Sequence, residues 1–406
     1  MVSLFNHFTI KLFCVLLVFA LSACSFPSKR QEESIAETSM KEKIGQMLTV
    51  GFDGFVLEPK SPIALAIQQR QIGGVILFDY DLKHQAYRKN IRNPAQLKKL
   101  TTALQNMAKK ADQYRVNSAE SSYPLIIAVD YEGGAVDRLH SRYGFPKTYS
   151  AQQFSKLPAK QAEQQAKNMA ETLVTSGINV NFAPVVDLLY GPETFIARKK
   201  RSFSSIPEKV EESAEFFSRA YGKAGIACAY KHFPGHGSAV GDTHLGFVDV
   251  TDTWKKKELK PYQYLLAQKD ACPIVMTAHV VNRHLDPGGK PATLSKAIIQ
   301  GKLRDEMGFQ GIVSTDCMQM SAIADNYSLS EVLKLSINAG ADMLIFSNQQ
   351  SPVWQNPADV IDLIYAHVKS GEIKSSRIES AYQRIIHLKK KLSDVDKNIA
   401  NIIDTQ

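Results

Sequence analysis

The sequence predicts an α/β protein with the architecture of a single (β/α)8 barrel of TIM type, on three observations. Eight apolar runs rich in β-formers recur along the chain, helix-like amphipathic stretches separate them, and polar residues stand where several runs end. The runs are continuous rather than alternating, which is typical of parallel strands covered on both faces. Eight such units favour a barrel over the structural alternative, a doubly wound open sheet, because open sheets of this kind usually have fewer strands.

The expected elements follow one another in regular order. A helix is predicted over 95–111, where leucines repeat at helical spacing, and Ser328 and Glu331 have the spacing of a capping box before another helix. Apolar residues spaced along 378–388 indicate a C-terminal helix. The eight predicted strands are 47–52, 74–78, 125–130, 179–184, 227–233, 274–280, 311–316 and 342–346.

The first residues have the pattern of a targeting segment. The apolar run 12–21 is too short to cross a bilayer as a helix and fits the core of a secretory signal. It ends in Leu21-Ser22-Ala23-Cys24, which resembles a bacterial lipobox in which Cys24 is lipidated; an ordinary signal peptide and an uncleaved anchor are the alternatives. We therefore expect a protein of the cell envelope anchored by lipid, in the outer membrane facing the periplasm if the cell is Gram-negative.

This pattern divides the chain into four parts. Residues 1–24 are the predicted lipoprotein signal peptide, and residues 25–39 are a polar, aperiodic tether. Residues 40–392 form the predicted catalytic barrel, and residues 393–406 form a C-terminal tail.

Composition and charge exclude several classes of protein. Hydrophobic residues make up 44% of the chain and charged residues 22%, as in ordinary globular proteins and unlike collagen-like or disordered chains. The formal net charge of +9 suggests an anionic partner. The basic run 198–201 is short and lacks interleaved aromatic residues, so it predicts a solvated loop and no binding of nucleic acid.

The cysteines predict neither a metal site nor a disulfide. Cys14 leaves with the signal and Cys24 carries the lipid, so three cysteines remain without CxxC or Cys/His spacing. Cys228 and Cys272 lie in apolar segments and are expected to be buried thiols. We expect no metal and no cofactor.

Polar residues cluster at the ends of five predicted strands: Asp130, Asp187, Lys231-His232, His279 and Asp316. One aspartate at a strand end is weak support for a site, because it often caps the following helix. Five strands that end in this way indicate an active site, which a barrel builds at the carboxyl ends of its strands.

Residues 231–246, KHFPGHGSAVGDTHLG, carry a specific resemblance. They resemble the signature of bacterial β-N-acetylglucosaminidases in glycoside hydrolase family 3, and blocks such as VDYEGG (129–134) and STDCMQM (314–320) match in the family's order. The resemblance covers about residues 40–390. It implies a barrel enzyme that removes terminal, non-reducing β-linked N-acetylglucosamine. Many family members carry a C-terminal sandwich domain; none is expected here, because the stretch after the last strand suffices only for closing helices.

The resemblance also implies roles for individual residues. Asp316 matches the nucleophile that forms a covalent glycosyl-enzyme, and His244 matches an acid/base on a flexible loop, oriented by Asp242. His236 and Asp187 are expected to support the site without touching the reacting atoms. The matched sugar-binding residues are Asp130, Arg138, Arg201, Lys231 and His232.

The predicted function is that of a retaining exo-enzyme, a monomer acting on N-acetylglucosaminides or muropeptides from peptidoglycan. The alternatives are a family relative cleaving β-glucosides or chitin oligomers, a phosphorylase, and a lipoprotein that only binds glycan. Ala135, Tyr131 and the pair Cys317-Met318 depart from the family's usual residues, which leaves open the preference beyond the first sugar.

Overall fold

The computed structural model describes residues 29–87, 89–112, 123–349 and 354–403. The predicted signal peptide with Cys24, and residues 25–28 of the predicted tether, lie outside the described residues. The chain separates into two units, Met1–Thr38 and Ser39–Gln406, and the described part of the first is helical. In the described ranges, no helix combines the length and the apolar character that a membrane span requires.

Eight parallel strands close into a barrel, as the sequence predicts. They pair in the order of the chain, and the first strand pairs with both the second and the eighth. The strands, named β1 to β8, are Leu48–Val50, Gly74–Leu77, Ile126–Val129, Val180–Asn181, Ala227–Phe233, Ile274–Thr277, Ile312–Cys317 and Met343–Phe346. Nearly every strand residue is buried, because side chains fill the barrel and helices cover its outside.

The helices confirm the predicted spacing. The leucine repeat forms Pro94–Asp112, and Ser328 caps Leu329–Ala339 by accepting a hydrogen bond from the Glu331 N–H at 3.3 Å. The remaining α-helices are Lys29–Gln46, Pro62–Gln68, Ala151–Phe154, Ala159–Thr175, Phe195–Arg198, Pro207–Lys223, Lys260–Leu265, Ser321–Ala324, Pro357–Lys369 and Ser375–Ile403. Ala297–Glu306 is a π-helix, and Ser141–Tyr143, Lys256–Leu259 and Ala292–Leu294 are short 3₁₀ helices.

Two helices extend across the predicted segment boundaries. The helix Lys29–Gln46 begins inside the predicted tether, and the helix Ser375–Ile403 continues past residue 392 into the predicted tail. Residues 29–39 are polar, and the absence of an apolar stripe there predicts irregular structure. They are nevertheless rich in Glu, Lys, Arg and Gln, which favour helix without any apolar face.

The prediction that Cys228 and Cys272 are buried thiols is wrong, because the two form a disulfide. Cys228 lies in β5 and Cys272 just before the neighbouring strand β6, with 4.9 Å between their Cα atoms. The register pairs Ala229 with Ile274, which brings the two cysteines side by side. Their separation of 44 residues concealed this proximity. Cys317 is a buried free thiol.

In the described residues, three two-stranded sheets lie beyond the carboxyl ends of the barrel strands. Tyr80–Asp81 pairs with Ala86–Tyr87 after β2, and Tyr131–Gly133 pairs with Val136–Asp137 after β3. A third sheet joins Val248–Asp249, beyond β5, to Val280–Val281, beyond β6. The first two sheets contribute residues to the lining of the cavity described below.

Candidate active site

One cavity of about 860 Å³ opens at the carboxyl end of the barrel. It contains every residue for which the sequence predicts a catalytic or sugar-binding role. Those residues are Asp130, Arg138, Arg201, Lys231, His232, Asp242, His244 and Asp316. They come from four strands and the loops that follow them, so only closure of the barrel brings them together.

Asp316 lies at the end of β7 and faces the cavity. The N–H of Cys317 donates a hydrogen bond to its Oδ1 at 2.7 Å. Burial would raise the pKa of Asp316, but in the acid range where this carboxyl titrates the protonated imidazoles of His279 and His232 outweigh burial, and its pKa falls to about 2. The carboxylate is therefore ionised at neutral pH, as a nucleophile requires.

Asp242 and His244 form a pair on the loop that follows β5. His244 Nδ1 lies 2.7 Å from Asp242 Oδ1, and the same oxygen accepts the His244 backbone N–H at 2.9 Å. A carboxylate only accepts, so Nδ1 carries the proton in this bond. The His244 ring is 46% exposed, which leaves Nε2 available to a substrate in the cavity.

The loop that carries this pair is anchored on both sides of it. Before the pair, the N–H of Gly237 donates to Glu258 Oε2 at 2.9 Å. At the pair itself, the carbonyl of Thr243 accepts the N–H of Ala322 at 3.2 Å, from the segment that follows Asp316. After the pair, the chain enters the small sheet with Val280–Val281. Between these anchors Leu245 is 83% exposed, so the loop borders the cavity with an apolar residue.

A chain of ion pairs forms the floor beside Asp316. Lys231 Nζ lies 2.8 Å from Asp130 Oδ1 and 2.7 Å from Glu132 Oε1. Arg201 donates two hydrogen bonds to Glu132, from Nε at 2.8 Å and from Nη2 at 2.7 Å. Burial opposes the ionised form of Glu132, yet the two cations hold its pKa well below the usual range. Glu132 thus fixes both cations in orientations from which they reach the cavity.

His232 is fixed by a buried carboxylate. Its Nδ1 lies 2.7 Å from Asp187 Oδ2, and Asp187 Oδ1 accepts the N–H groups of His232 at 3.1 Å and His236 at 2.8 Å. His232 Nε2 lies 3.3 Å from Arg201 Nη2, which can only donate. Nε2 is consequently the acceptor and Nδ1 the protonated nitrogen, so Asp187 selects the tautomer. Asp187 is absent from the residues that line the cavity, whereas His236 is among them.

Three carboxylates of the site were missed by the sequence reasoning. Glu132 stands inside the matched block VDYEGG but was given no role, and Asp79 accepts a hydrogen bond from Arg138 Nη1 at 3.4 Å. Glu258 lies in a 3₁₀ turn outside any motif. A predicted cation needs a carboxylate partner, and the ends of the other strands are where such a partner is expected. Asp79 stands at such a position, after β2. No sequence signal indicates Glu258.

The departures from the usual family residues fall in different places. Ala135 lines the cavity, whereas Tyr131 is fully buried beneath it. The Cys317 thiol lies 2.9 Å from the Ser347 hydroxyl and borders the cavity beside Asp316. Among the described residues, no group of three or more His, Cys, Asp or Glu side chains could hold a metal ion.

The cavity of this parallel barrel contains an ionised aspartate, an Asp–His pair and cations held by ion pairs. These features define the class of barrel enzymes that use acid–base catalysis on a polar substrate. The chain belongs to glycosyl hydrolase family 3: residues 39–388 match the model of the family's N-terminal domain.

Curated relatives and solved structures agree with this assignment. The chain is 29% identical over 397 residues to beta-hexosaminidase A of Pseudoalteromonas piscicida, covering 88% of this chain and 62% of that protein. It is 32% identical over 316 residues to a beta-hexosaminidase of Alkalilimnicola ehrlichii, covering 75% and 82%. A family 3 beta-N-acetylglucosaminidase from Paenibacillus superposes with a TM-score of 0.75 at 32% identity, covering 88% of this chain and 63% of the other.

Proposed function

We propose that the protein is a retaining exo-β-N-acetylglucosaminidase that works through a covalent glycosyl-enzyme on Asp316. The observation that carries the proposal is the single cavity in which an ionised Asp316 meets the Asp242–His244 pair. The similarity to curated beta-hexosaminidases supports N-acetylglucosamine as the sugar.

In the first step, Asp316 bonds to the anomeric carbon while the bond to the leaving oxygen breaks. His244, protonated on both nitrogens, delivers the Nε2 proton to that oxygen, and Asp242 stabilises the imidazolium through Nδ1. In the second step, water attacks the anomeric carbon and gives a proton to Nε2. The bond to Asp316 breaks, and the carboxylate and the imidazolium are both restored.

The fixed cations and carboxylates of the floor suit the bound sugar. Lys231 and Arg201 donate hydrogen bonds, and Asp130 accepts them, at positions held by Glu132. Because these groups are already paired with one another, they need little reorganisation when hydroxyl and acetamido groups arrive.

Chromogenic substrates test the activity. The protein from residue 25 onward, offered β-N-acetylglucosaminide and β-glucoside, should prefer the first by a large factor, and Asp316→Ala should abolish turnover. Preference for the glucoside, or no turnover of either, would contradict the proposal. Added inorganic phosphate should leave free N-acetylglucosamine as the product. Sugar 1-phosphate in its place would show a phosphorylase.

We also propose that the physiological substrates are peptidoglycan fragments. Lys83 and Lys199 line the cavity, and the formal charge of the chain is +9, which suits the acidic groups of wall peptides and muramic acid. Hydrolysis rates of a muramyl disaccharide and of chitobiose should favour the first at low ionic strength, and the advantage should shrink as salt is added. A faster rate on chitobiose at every salt concentration would overturn this assignment.

A lipid anchor at Cys24 would hold the protein in the cell envelope. The sequence around Cys24 supports this proposal, and the Cys228–Cys272 disulfide suits an oxidising compartment. Radioactive palmitate should label the full chain expressed in a bacterium but not Cys24→Ala, and Cys14→Ala is the matched control that keeps its label. Equal labelling of Cys24→Ala and the parent would contradict the anchor.

A further inference from the structure

His279 occupies a position that the proposed mechanism does not use. It follows β6 by two residues, its side chain is 1% exposed, and it is not among the residues that line the cavity. Nevertheless, both of its ring nitrogens make short contacts. Nε2 lies 2.9 Å from the carbonyl oxygen of Cys317, and Nδ1 lies 2.8 Å from Thr293 Oγ1.

These contacts define which nitrogen carries the proton. A carbonyl oxygen can only accept, so Nε2 must donate to Cys317. Burial lowers the pKa of His279 in spite of the nearby Asp316 charge, so the ring is neutral and Nδ1 is an acceptor for the Thr293 hydroxyl, whose oxygen also lies 3.0 Å from the carbonyl oxygen of Ala278. Thr277 Oγ1 lies 2.8 Å from Thr293 Oγ1 and can supply Thr293 with a hydrogen bond in turn. The hydrogen-bonded side chains of Thr277, Thr293 and His279 therefore end in one donor, the Nε2–H of His279, which faces the Cys317 carbonyl.

The receiving carbonyl belongs to the residue after the nucleophile. The N–H of Cys317 donates to Asp316 Oδ1 at 2.7 Å, while the N–H of Met318, in the same peptide unit as the Cys317 carbonyl, donates to Ile345 in β8 at 2.9 Å. His279 supplies the matching bond from the β6 side. One peptide plane at the end of β7 is thus held from both neighbouring strands, and its orientation limits where the Cys317 N–H can point.

We propose that His279 is a positioning residue, which orients the Asp316 carboxylate by holding the carbonyl of Cys317. The inference rests on the proposed function, because it assigns Asp316 the role of nucleophile. A displacement of about 1 Å at a reacting group can cost about 10²-fold in rate, whereas binding of the sugar depends on other residues. Loss of the bond should accordingly lower kcat and leave KM nearly unchanged.

Two substitutions at one position isolate the hydrogen bond. His279→Leu removes the donor, and His279→Gln can place an amide N–H near the position of Nε2. We expect His279→Leu to lower kcat by about 10- to 100-fold on the chromogenic N-acetylglucosaminide, with KM changed by less than about threefold. His279→Gln should recover most of the rate. Thermal unfolding of each variant shows whether it is folded.

A second position keeps the proposal testable if His279→Leu does not fold. Thr293→Val has nearly the same volume, removes the donor to Nδ1 and should lower kcat in the same direction by a smaller factor. Unchanged kcat in folded His279→Leu or Thr293→Val would overturn the inference, as would equal loss in the Leu and Gln variants or a change confined to KM. These results leave the proposed function intact if the parent is active and Asp316→Ala is not. An inactive parent would overturn both.

Discussion

At the scale of single residues, the carboxylates of Asp242 and Asp187 decide which nitrogen of each neighbouring imidazole carries the proton. Asp242 accepts from Nδ1 of His244 and Asp187 from Nδ1 of His232, so in both rings Nε2 is directed away from the carboxylate. A motif can supply the aspartate and the histidine, but the direction of the ring depends on contacts between distant segments. The Arg201–His232 contact is one such case, joining residues 31 apart.

The proposed acid/base role of His244 can be distinguished from a nonspecific effect of replacing a histidine. With an aryl glycoside whose leaving group needs little protonation, His244→Ala should slow the second step by about 10²–10⁴-fold, because no base remains for water. Rapid mixing should then show a burst of released phenol followed by slow turnover.

His84→Ala is the matched control for this experiment. His84 forms an exposed pair with Asp81 at the same 2.7 Å, and it is not among the residues that line the cavity. It should retain the parent rate. A His244→Ala variant as fast as His84→Ala would refute the acid/base role.

At the scale of elements, the loop after β5 is shaped by Glu258. Gly235 has a φ of +115°, and a Cβ there would lie 2.6 Å from the Cβ of Glu258. A Cβ on Gly237 would collide with the carbonyl of Leu188. These glycines are required for close packing. Such contacts could not be predicted, because Glu258 stands outside every motif.

Glu258 makes stability depend on pH. Burial and the charge of Asp187 raise its pKa in the folded protein to about 8, above its ordinary value of 4.5. Because the folded state binds this proton more tightly than the unfolded state, Glu258 stabilises the folded state most at a pH below its ordinary pKa of 4.5. This contribution to stability is lost as the pH rises through 8. Glu258→Gln keeps an oxygen for the Gly237 N–H and cannot ionise.

We therefore expect the unfolding temperature of Glu258→Gln to rise relative to the parent as the pH goes from 5 to 9. Glu212→Gln, at an exposed position, is the control and should track the parent at each pH. A constant difference between Glu258→Gln and the parent across this range would show that Glu258 is not held in its neutral form.

At the scale of the whole molecule, the barrel could be predicted and its crosslink could not. All eight strands were predicted with bounds within a few residues of those observed, because continuous apolar runs with polar ends indicate strands buried on both faces. The Cys228–Cys272 disulfide depends on the register between β5 and β6. No local sequence pattern predicts that register. The helix Lys29–Gln46 was not predicted, because residues 29–39 lack an apolar stripe.

The disulfide should stabilise the barrel without affecting turnover. The double variant Cys228→Ser, Cys272→Ser should lose about 2–4 kcal/mol of unfolding free energy, as for loops of this kind, measured by urea denaturation. Its kcat should equal that of the parent, because neither cysteine lines the cavity. Reduction of the parent should remove most of the difference in stability. An oxidised parent no more stable than the double variant would contradict the crosslink.

The central claim is that Asp316 carries the sugar during turnover, and trapping the intermediate tests it most directly. A 5-fluoro glycosyl fluoride of N-acetylglucosamine should form an adduct that hydrolyses slowly, and digestion with mass spectrometry then locates it. We expect the added mass on Asp316 in the parent and no adduct in Asp316→Asn. An adduct on another residue, or parental turnover by Asp316→Asn, would contradict the account.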